Sequence, residues 1–235
     1  MASSPSTSTD LSARRCEDCN GFPADVLLKT LSGVPFYVCQ GCADDRRARD
    51  FNAMQVAQCS VLTHIPDRYA DATLADFDDG IRLPLEGFLN PEGEPVGLVT
   101  LMGKTGVGKT HAAYAVMRDT VMTRGIVSRF RSAPEFLLRL QRLAGENMAD
   151  LEDEVIRLGN HTGPVIIDDL GAEKTTEFGR AAFYIIVSKR EAAKMPTLVT
   201  TNLTLTEIAV RFDPRLADRL RGGTVLAMTG KSRRR

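Results

Sequence analysis

Gly103-Lys104-Thr105-Gly106-Val107-Gly108-Lys109-Thr110 meets every fixed position of G-x4-G-K-[ST]. The apolar run Val96–Met102 leads into it, and the helix-prone His111-Ala112-Ala113-Tyr114-Ala115-Val116-Met117 follows. Strand, glycine-rich loop and helix start are the context in which this spacing cradles phosphate rather than marking a plain turn. The glycines let the backbone curl until successive N–H groups face phosphate oxygens. The helix N-terminus adds its dipole. Lys109 can reach the β and γ phosphates, and Thr110 can ligate Mg²⁺. All eight loop residues are therefore expected nucleotide contacts.

Outward from the loop, apolar runs alternate with amphipathic stretches. Strands are expected at Val96–Met102, Ile126–Arg131, Pro164–Ile167, Thr197–Thr201 and Thr224–Thr229. Helices are expected at Lys109–Thr123, Ala133–Ala144, Met148–Gly159, Thr176–Lys194, Thr204–Arg211 and Pro214–Arg221. Several strands are continuously apolar, as happens when helices cover both faces of a parallel sheet. The reading is a P-loop α/β domain over 96–235, with a parallel sheet flanked by helices. Upstream, 59–95 carries Pro66, Pro84, Pro91 and Pro95 and reads as a connector. Residues 13–58 read as a small ribbon plus helix, and 1–12 as a disordered polar tail.

Two strand ends carry polar groups. Val165-Ile166-Ile167-Asp168-Asp169 ends in paired carboxylates. At the C-terminal end of a strand beside the loop, Asp168 is the candidate Mg²⁺ partner. Asp169 is the candidate to orient or deprotonate the attacking water. Without the loop, both would read as turn or cap acids. One strand on, Thr201-Asn202 ends the next run. Asn202 is a candidate contact to the γ-phosphate or the water, or else a helix cap for Thr204–Arg211.

Cys16, Cys19, Cys39 and Cys42 read C-x2-C, 19 intervening residues, C-x2-C. That spacing suits a four-thiolate zinc site, and two short strands, Val26–Lys29 and Val34–Val38, lie between the pairs. The alternative is two disulfides of a secreted module, for which no secretory signal is present. Four thiolates leave no open position, so this Zn²⁺ is structural. Cys59 stands apart.

Lys plus Arg and Asp plus Glu each number 30, so the net charge is zero and a globally basic nucleic-acid binder is excluded. Aromatics are 6% with no Trp, which argues against an aromatic carbohydrate cleft. No apolar run approaches the roughly 18 residues of a membrane helix. Met1–Asp10 lacks the apolar core of a signal peptide. No membrane association is expected, and a cytoplasmic location is, in a bacterium or in a host cell if the source is viral. Charge is nonetheless uneven: from Val210 onward the chain is +6 and the remainder −6. Arg215 and Arg219 share a helical face. An arginine offered to a neighbour's nucleotide stabilises transition-state charge; otherwise this is a solvated basic helix and tail.

These residues as an ensemble resemble the DnaC/IstB family of AAA+ ATPases, which holds replicative-helicase loaders and ATPase subunits of transposition systems. The resemblance covers about residues 64–235. It rests on Ile65-Pro66-Asp67-Arg68-Tyr69-Ala70-Asp71-Ala72-Thr73, Gly103–Thr110, Ile166–Gly171, Thr201-Asn202 and Arg215-Leu216-Ala217-Asp218-Arg219-Leu220. It implies that Lys109 and Thr110 form the Walker A pair, Asp168 and Asp169 the Walker B pair, and Asn202 sensor 1. It makes Arg219 the arginine finger, with Arg215 beside it, and Arg234 the sensor 2 arginine. It further implies ATP hydrolysis with Mg²⁺, an ATP-dependent homo-oligomer, and single-stranded DNA and a replicative helicase as partners. Two alternatives stay open: an ATPase that delivers a transposase, and a zinc-ribbon nucleic-acid adaptor with a slow ATP switch. Asp169 departs from the Glu of many AAA+ ATPases. A displacement of ~1 Å can slow a reaction ~10²-fold, so slow, partner-stimulated turnover is expected. The chain also ends at Arg235 without a helical lid, so a neighbouring subunit is expected to cover the nucleotide.

Overall fold

The structure, a computed structural model, describes residues 16–19, 26–29, 35–62, 64–88, 97–172 and 176–230. They belong to two compact units, Met1–Val56 and Ala57–Arg235.

In the first unit, β1 (Val26–Lys29) pairs antiparallel with β2 (Pro35–Val38), Val26 opposite Val38. Helix α1 (Gln40–Leu62) starts two residues after β2, and its residues through Val56 belong to this unit. Among the described residues the buried cluster is Cys16, Val38, Cys39 and Ala43, with Val26 and Cys42 packed on it. Cys59 lies within α1.

In the second unit, β3 (Leu98–Met102), β4 (Arg129–Ser132), β5 (Val165–Leu170), β6 (Thr197–Thr201) and β7 (Thr224–Ala227) form a sheet in the order β4-β5-β6-β3-β7. All four pairings are parallel. Alternate residues of each strand face opposite sides. Leu98, Val165, Ile167 and Val199 join one apolar layer with α4 (Ala133–Glu146), α5 (Met148–Gly159), α6 (Glu177–Ala192), α7 (Leu205–Arg211) and α8 (Pro214–Gly222). Val99, Leu101, Ile166 and Leu198 join the other with α3 (Lys109–Arg124).

That second layer holds a difference from the sequence reading. Residues 64–88, within the expected connector, contribute two 3-10 turns and helix α2 (Asp79–Phe88) to the core. Ile81, Leu85 and Phe88 are buried at i, i+4 and i+7, an apolar stripe the proline count obscured. Pro84 sits inside α2. The strand expected at Ile126–Arg131 starts at Arg129 instead, and Ile126 and Val127 stay 44% and 40% exposed. Their β-propensity did not place them in the sheet, because context overrides it.

Arg190 is fully buried. It donates to Thr197 Oγ1 at 2.8 Å and to the carbonyls of Leu158 (3.3 Å), Gly163 (2.8 Å), Pro196 (2.8 Å) and His161. Burial pulls it down to about 10, yet these oxygens satisfy it without a carboxylate among them. It pins the starts of β5 and β6, whose far ends carry the site. Among the described residues no helix is long and apolar enough to cross a membrane.

Candidate active site and metal centre

The loop between β3 and α3 turns through Gly106 (φ 90°) and Gly108 (φ 108°), backbone open to glycine. Gly103 is required for another reason: a Cβ there would lie 2.4 Å from the Met228 carbonyl, just past β7. Lys109 is 7% exposed and donates to the carbonyls of Gly103 (2.7 Å) and Lys104 (3.1 Å). Its ammonium is thus held over the loop.

β6 separates β3 from β5, yet loop and carboxylates meet. Thr110 Oγ1 donates to Asp168 Oδ2 at 3.0 Å. Asp168 is 6% exposed. Burial pushes its pKa up, while hydroxyl donors from Thr200 and Thr110 and the charge of Lys109 pull the other way. A hydroxyl and a carboxylate side by side are hard oxygen donors, the set Mg²⁺ takes while keeping several waters. Asp169 follows with φ 61° in the left-handed region. Its N–H donates to Thr200 Oγ1 at 2.9 Å.

Asn202 is exposed just beyond β6. It is not the cap of α7: Thr204 is, accepting from Glu207 N–H at 3.2 Å while its own N–H donates to the Glu207 carboxylate at 2.7 Å.

Arg219 donates to Glu191 Oε2 at 3.2 Å and is 45% exposed. One turn later, Gly223 lies against the Leu98 carbonyl, at the start of β3. The phosphate loop leaves the other end of that strand, so Arg219 lies toward the end of the sheet opposite its own loop. Arg215 pairs with Asp213 at 2.8 Å and covers the Tyr184 ring at 4.4 Å. Arg234 lies outside the described residues.

Beside the loop is a cavity of about 470 Å³ lined by Phe77, Ile81, Val107, Leu226, Met228 and Gly230, among others. Sequence reading missed it, because its walls come from the 64–88 segment and the end of β7. The apolar spacing of Phe77 and Ile81 was the available signal. His111 contacts Asp76 at 2.7 Å and Tyr69 stacks on Tyr114 at 4.7 Å, fastening that segment to α3.

In the first unit, the sulfurs of Cys16, Cys19, Cys39 and Cys42 all lie within 4.8 Å of one another, and Cys19 and Cys39 are 3.9 Å apart. A tetrahedral site with Zn–S near 2.3 Å has sulfurs about 3.8 Å apart, whereas a disulfide needs about 2.05 Å. The cluster has ligand spacing. Burial opposes ionisation of Cys16, but backbone N–H groups of Cys39, Cys19 and Asp18 bring its thiol down to about 6. Hydrogen bonding to Cys39 and burial hold Cys42 well above the usual thiol range. One sulfur ionises at its neighbour's expense, a conflict a dication removes. Arg46 on α1 makes a bidentate contact to Asp18, and Glu17 accepts from Tyr37 N–H at 2.9 Å, so the first Cys turn is fastened to α1 and β2.

The family of IstB-like ATP binding proteins matches residues 96–232. The replicative helicase loader DnaC of Escherichia coli K12 is 24% identical over 124 residues, 53% of this chain and 50% of that protein. DnaC of Shigella flexneri gives the same figures. The chain thus matches about half the length of these curated relatives. Among solved structures, the DnaC helicase loader has a TM-score of 0.59 at 23% identity, covering 70% of this chain and 100% of that one. DnaI has 0.59 at 23%, covering 71% and 95%. The replication initiator DnaA bound to AMPPCP and single-stranded DNA has 0.60 at 18%, covering 72% and 52%. The shared fold is the P-loop α/β sheet expected from the sequence.

Proposed function

The chain belongs to the family of IstB-like ATP binding proteins, of the DnaC/IstB type of AAA+ ATPase, and from that premise we propose that it is an ATP-hydrolysing replication protein of the helicase-loader type. It binds single-stranded DNA and a replicative helicase, and it assembles into an ATP-dependent homo-oligomer. The observation that carries the reading is the contact of Thr110 with Asp168 across an intervening strand, directly beneath a complete phosphate loop.

In this reading the N–H groups of Gly103–Thr110 hold the phosphates and Lys109 leaves its loop carbonyls for the β and γ oxygens. Thr110 and Asp168 would hold Mg²⁺, which when bound neutralises phosphate charge. Asp169 orients the attacking water and accepts its proton; Asn202 contacts the γ-phosphate or that water. The cavity beside the loop takes the base. Arg219, remote from its own loop, serves a neighbouring subunit after releasing Glu191, and Arg234 acts as sensor 2. Cys16, Cys19, Cys39 and Cys42 would hold a structural Zn²⁺. We assign the ribbon plus helix at 13–58 to partner docking, and 96–235, with the upstream layer at 64–88, to the ATPase. Single-stranded DNA binds chiefly through its phosphates, so its affinity falls with salt.

The test is ATP binding and hydrolysis with and without single-stranded DNA. Wild type binds ATP and turns over faster with DNA, and Lys109→Ala loses both. DNA binding that survives Lys109→Ala but is lost with zinc would favour the adaptor instead. Because the matched family is IstB-like, delivery of a transposase is the second reading. Capture by Asp169→Asn held in ATP, against purified helicase and purified transposase, separates the two.

A further inference from the structure

β5 and β6 are in register at Ile167 opposite Val199, and again at Leu170 opposite Thr201. Between those points β5 has two residues, Asp168 and Asp169, where β6 has one, Thr200. The acids therefore occupy a bulge, a device that re-aims side chains next to a site. Thr200 faces that bulge and is fully buried.

Its hydroxyl is used twice. Asp169 N–H can only donate, so Thr200 Oγ1 accepts it, at 2.9 Å. The hydroxyl proton is then free for Asp168 Oδ1, at 2.6 Å. The other oxygen of the same carboxylate takes the Thr110 hydroxyl at 3.0 Å. Asp168 is thus clamped between a hydroxyl from the phosphate loop and one from β6. The bond from Asp169 N–H holds the backbone where φ is 61°, a conformation a non-glycine residue keeps only when its surroundings impose it. The neighbouring Thr201 does different work: its hydroxyl donates to the Leu170 carbonyl at 2.6 Å and closes the bulge.

We propose that Thr200 is a positioning residue for hydrolysis, whose single hydroxyl sets the carboxylate of Asp168 toward Thr110 and fixes the backbone of Asp169 in its left-handed turn. The inference rests on the ATPase reading above. One side chain on the intervening strand then links the metal-holding acid to the water-orienting acid, so that neither turns independently of the other.

The experiment compares wild type with Thr200→Val, Thr200→Ala and Thr200→Ser in the full chain. Val keeps the branched shape and removes the hydroxyl. Ala removes both, and Ser restores the hydroxyl without the methyl. Three readouts are taken: kcat and KM for ATP, affinity for a fluorescent ATP analogue with and without Mg²⁺, and the thermal midpoint. A displacement of ~1 Å at a reacting group slows chemistry ~10²-fold. The expected result is a kcat about 10²-fold lower in Val and Ala alike, with little change in Mg²⁺-free affinity. The gain in affinity on adding Mg²⁺ shrinks in both, and Ser recovers most of it together with kcat. Two deletion variants of different bulk keep the test alive if one of them fails to fold. Val and Ala matching wild type in both kcat and Mg²⁺ dependence would overturn the proposal. So would a Ser variant as impaired as Val, since packing would then be the cause. A wild type that binds no ATP sinks the ATPase reading itself, a result separable from either.

Discussion

Replacing Asp169 by Gly and by Ala separates its backbone conformation from its carboxylate. Both substitutions remove the side chain proposed to orient water, so both should lower turnover by the ~10²–10⁴-fold that general-base catalysis contributes. They differ in how they tolerate φ 61°. A residue with a Cβ loses roughly 1–2 kcal/mol in the left-handed region. Glycine avoids that, but returns ~0.4–1 kcal/mol through its freer unfolded chain. The remainder is about 1 kcal/mol in favour of Gly, or about 2–4 °C in midpoint for a chain of this size. Asp, whose short polar side chain tolerates this region better than Ala, should fall between the two. Asp169→Asn should melt with wild type and still fail to turn over. The assay is paired thermal unfolding without nucleotide and steady-state ATP hydrolysis. If Ala melts at or above Gly, the backbone is not held in the left-handed turn. If either variant keeps wild-type turnover, Asp169 is not the water-orienting group.

Mixing two inactive variants tests the arginine: Arg219→Ala retains the loop, Lys109→Ala retains the arginine, and combined they should recover part of the turnover that neither has alone. No recovery in a concentrated mixture, together with Glu191→Gln reproducing the Arg219→Ala phenotype, would reduce Arg219 to a partner of Glu191. Metal analysis should find one Zn²⁺ per chain, and a strong chelator should unfold the ribbon, read as release of thiols reactive to a chromogenic reagent; four free thiols and no zinc in the native protein would refute the metal centre. Burial raises the pKa of Asp168, so the nucleotide-free fold loses stability as pH climbs from the unfolded carboxylate's pKa of about 3.9 to that raised value, and below about 3.9 the penalty is absent. Asp168→Asn should therefore melt a few degrees above wild type at neutral pH, converge with it at acidic pH, and lose Mg²⁺-dependent nucleotide affinity; an Asn variant less stable than wild type at neutral pH would contradict this.

The phosphate loop was legible from sequence because its requirement is local: glycines at fixed positions, a lysine and a hydroxyl within eight consecutive residues. The cysteine pairs were legible for the same reason, and the structure gathers their sulfurs. Asp168 and Asn202 followed from apolar runs that meet a polar residue, but the strand expected to stop at Ile167 continues through both acids to Leu170. Pattern reading failed where the cause is non-local. Prolines concealed α2, since burial of Ile81, Leu85 and Phe88 is decided by the sheet face they meet. Ile126 and Val127 look like strand residues, but among the described residues the pairing of β4 with β5 begins only at Arg129.

Sequence alone determined which residues are candidates to cradle phosphate and to ligate metal, since both depend on residue type at short spacing. Tertiary structure decided how those pieces are joined. The order β4-β5-β6-β3-β7 inserts β6 between the loop strand and the acid strand. Thr200 therefore meets Asp168, 32 residues earlier, and becomes a hinge-pin of the site rather than one more threonine in a strand. Helix α8 packs near the starting ends of these strands, so Arg219 lies toward the end of the sheet opposite its own loop. Strand order and bulge register arise from packing two apolar faces at once, and no short stretch of sequence encodes that.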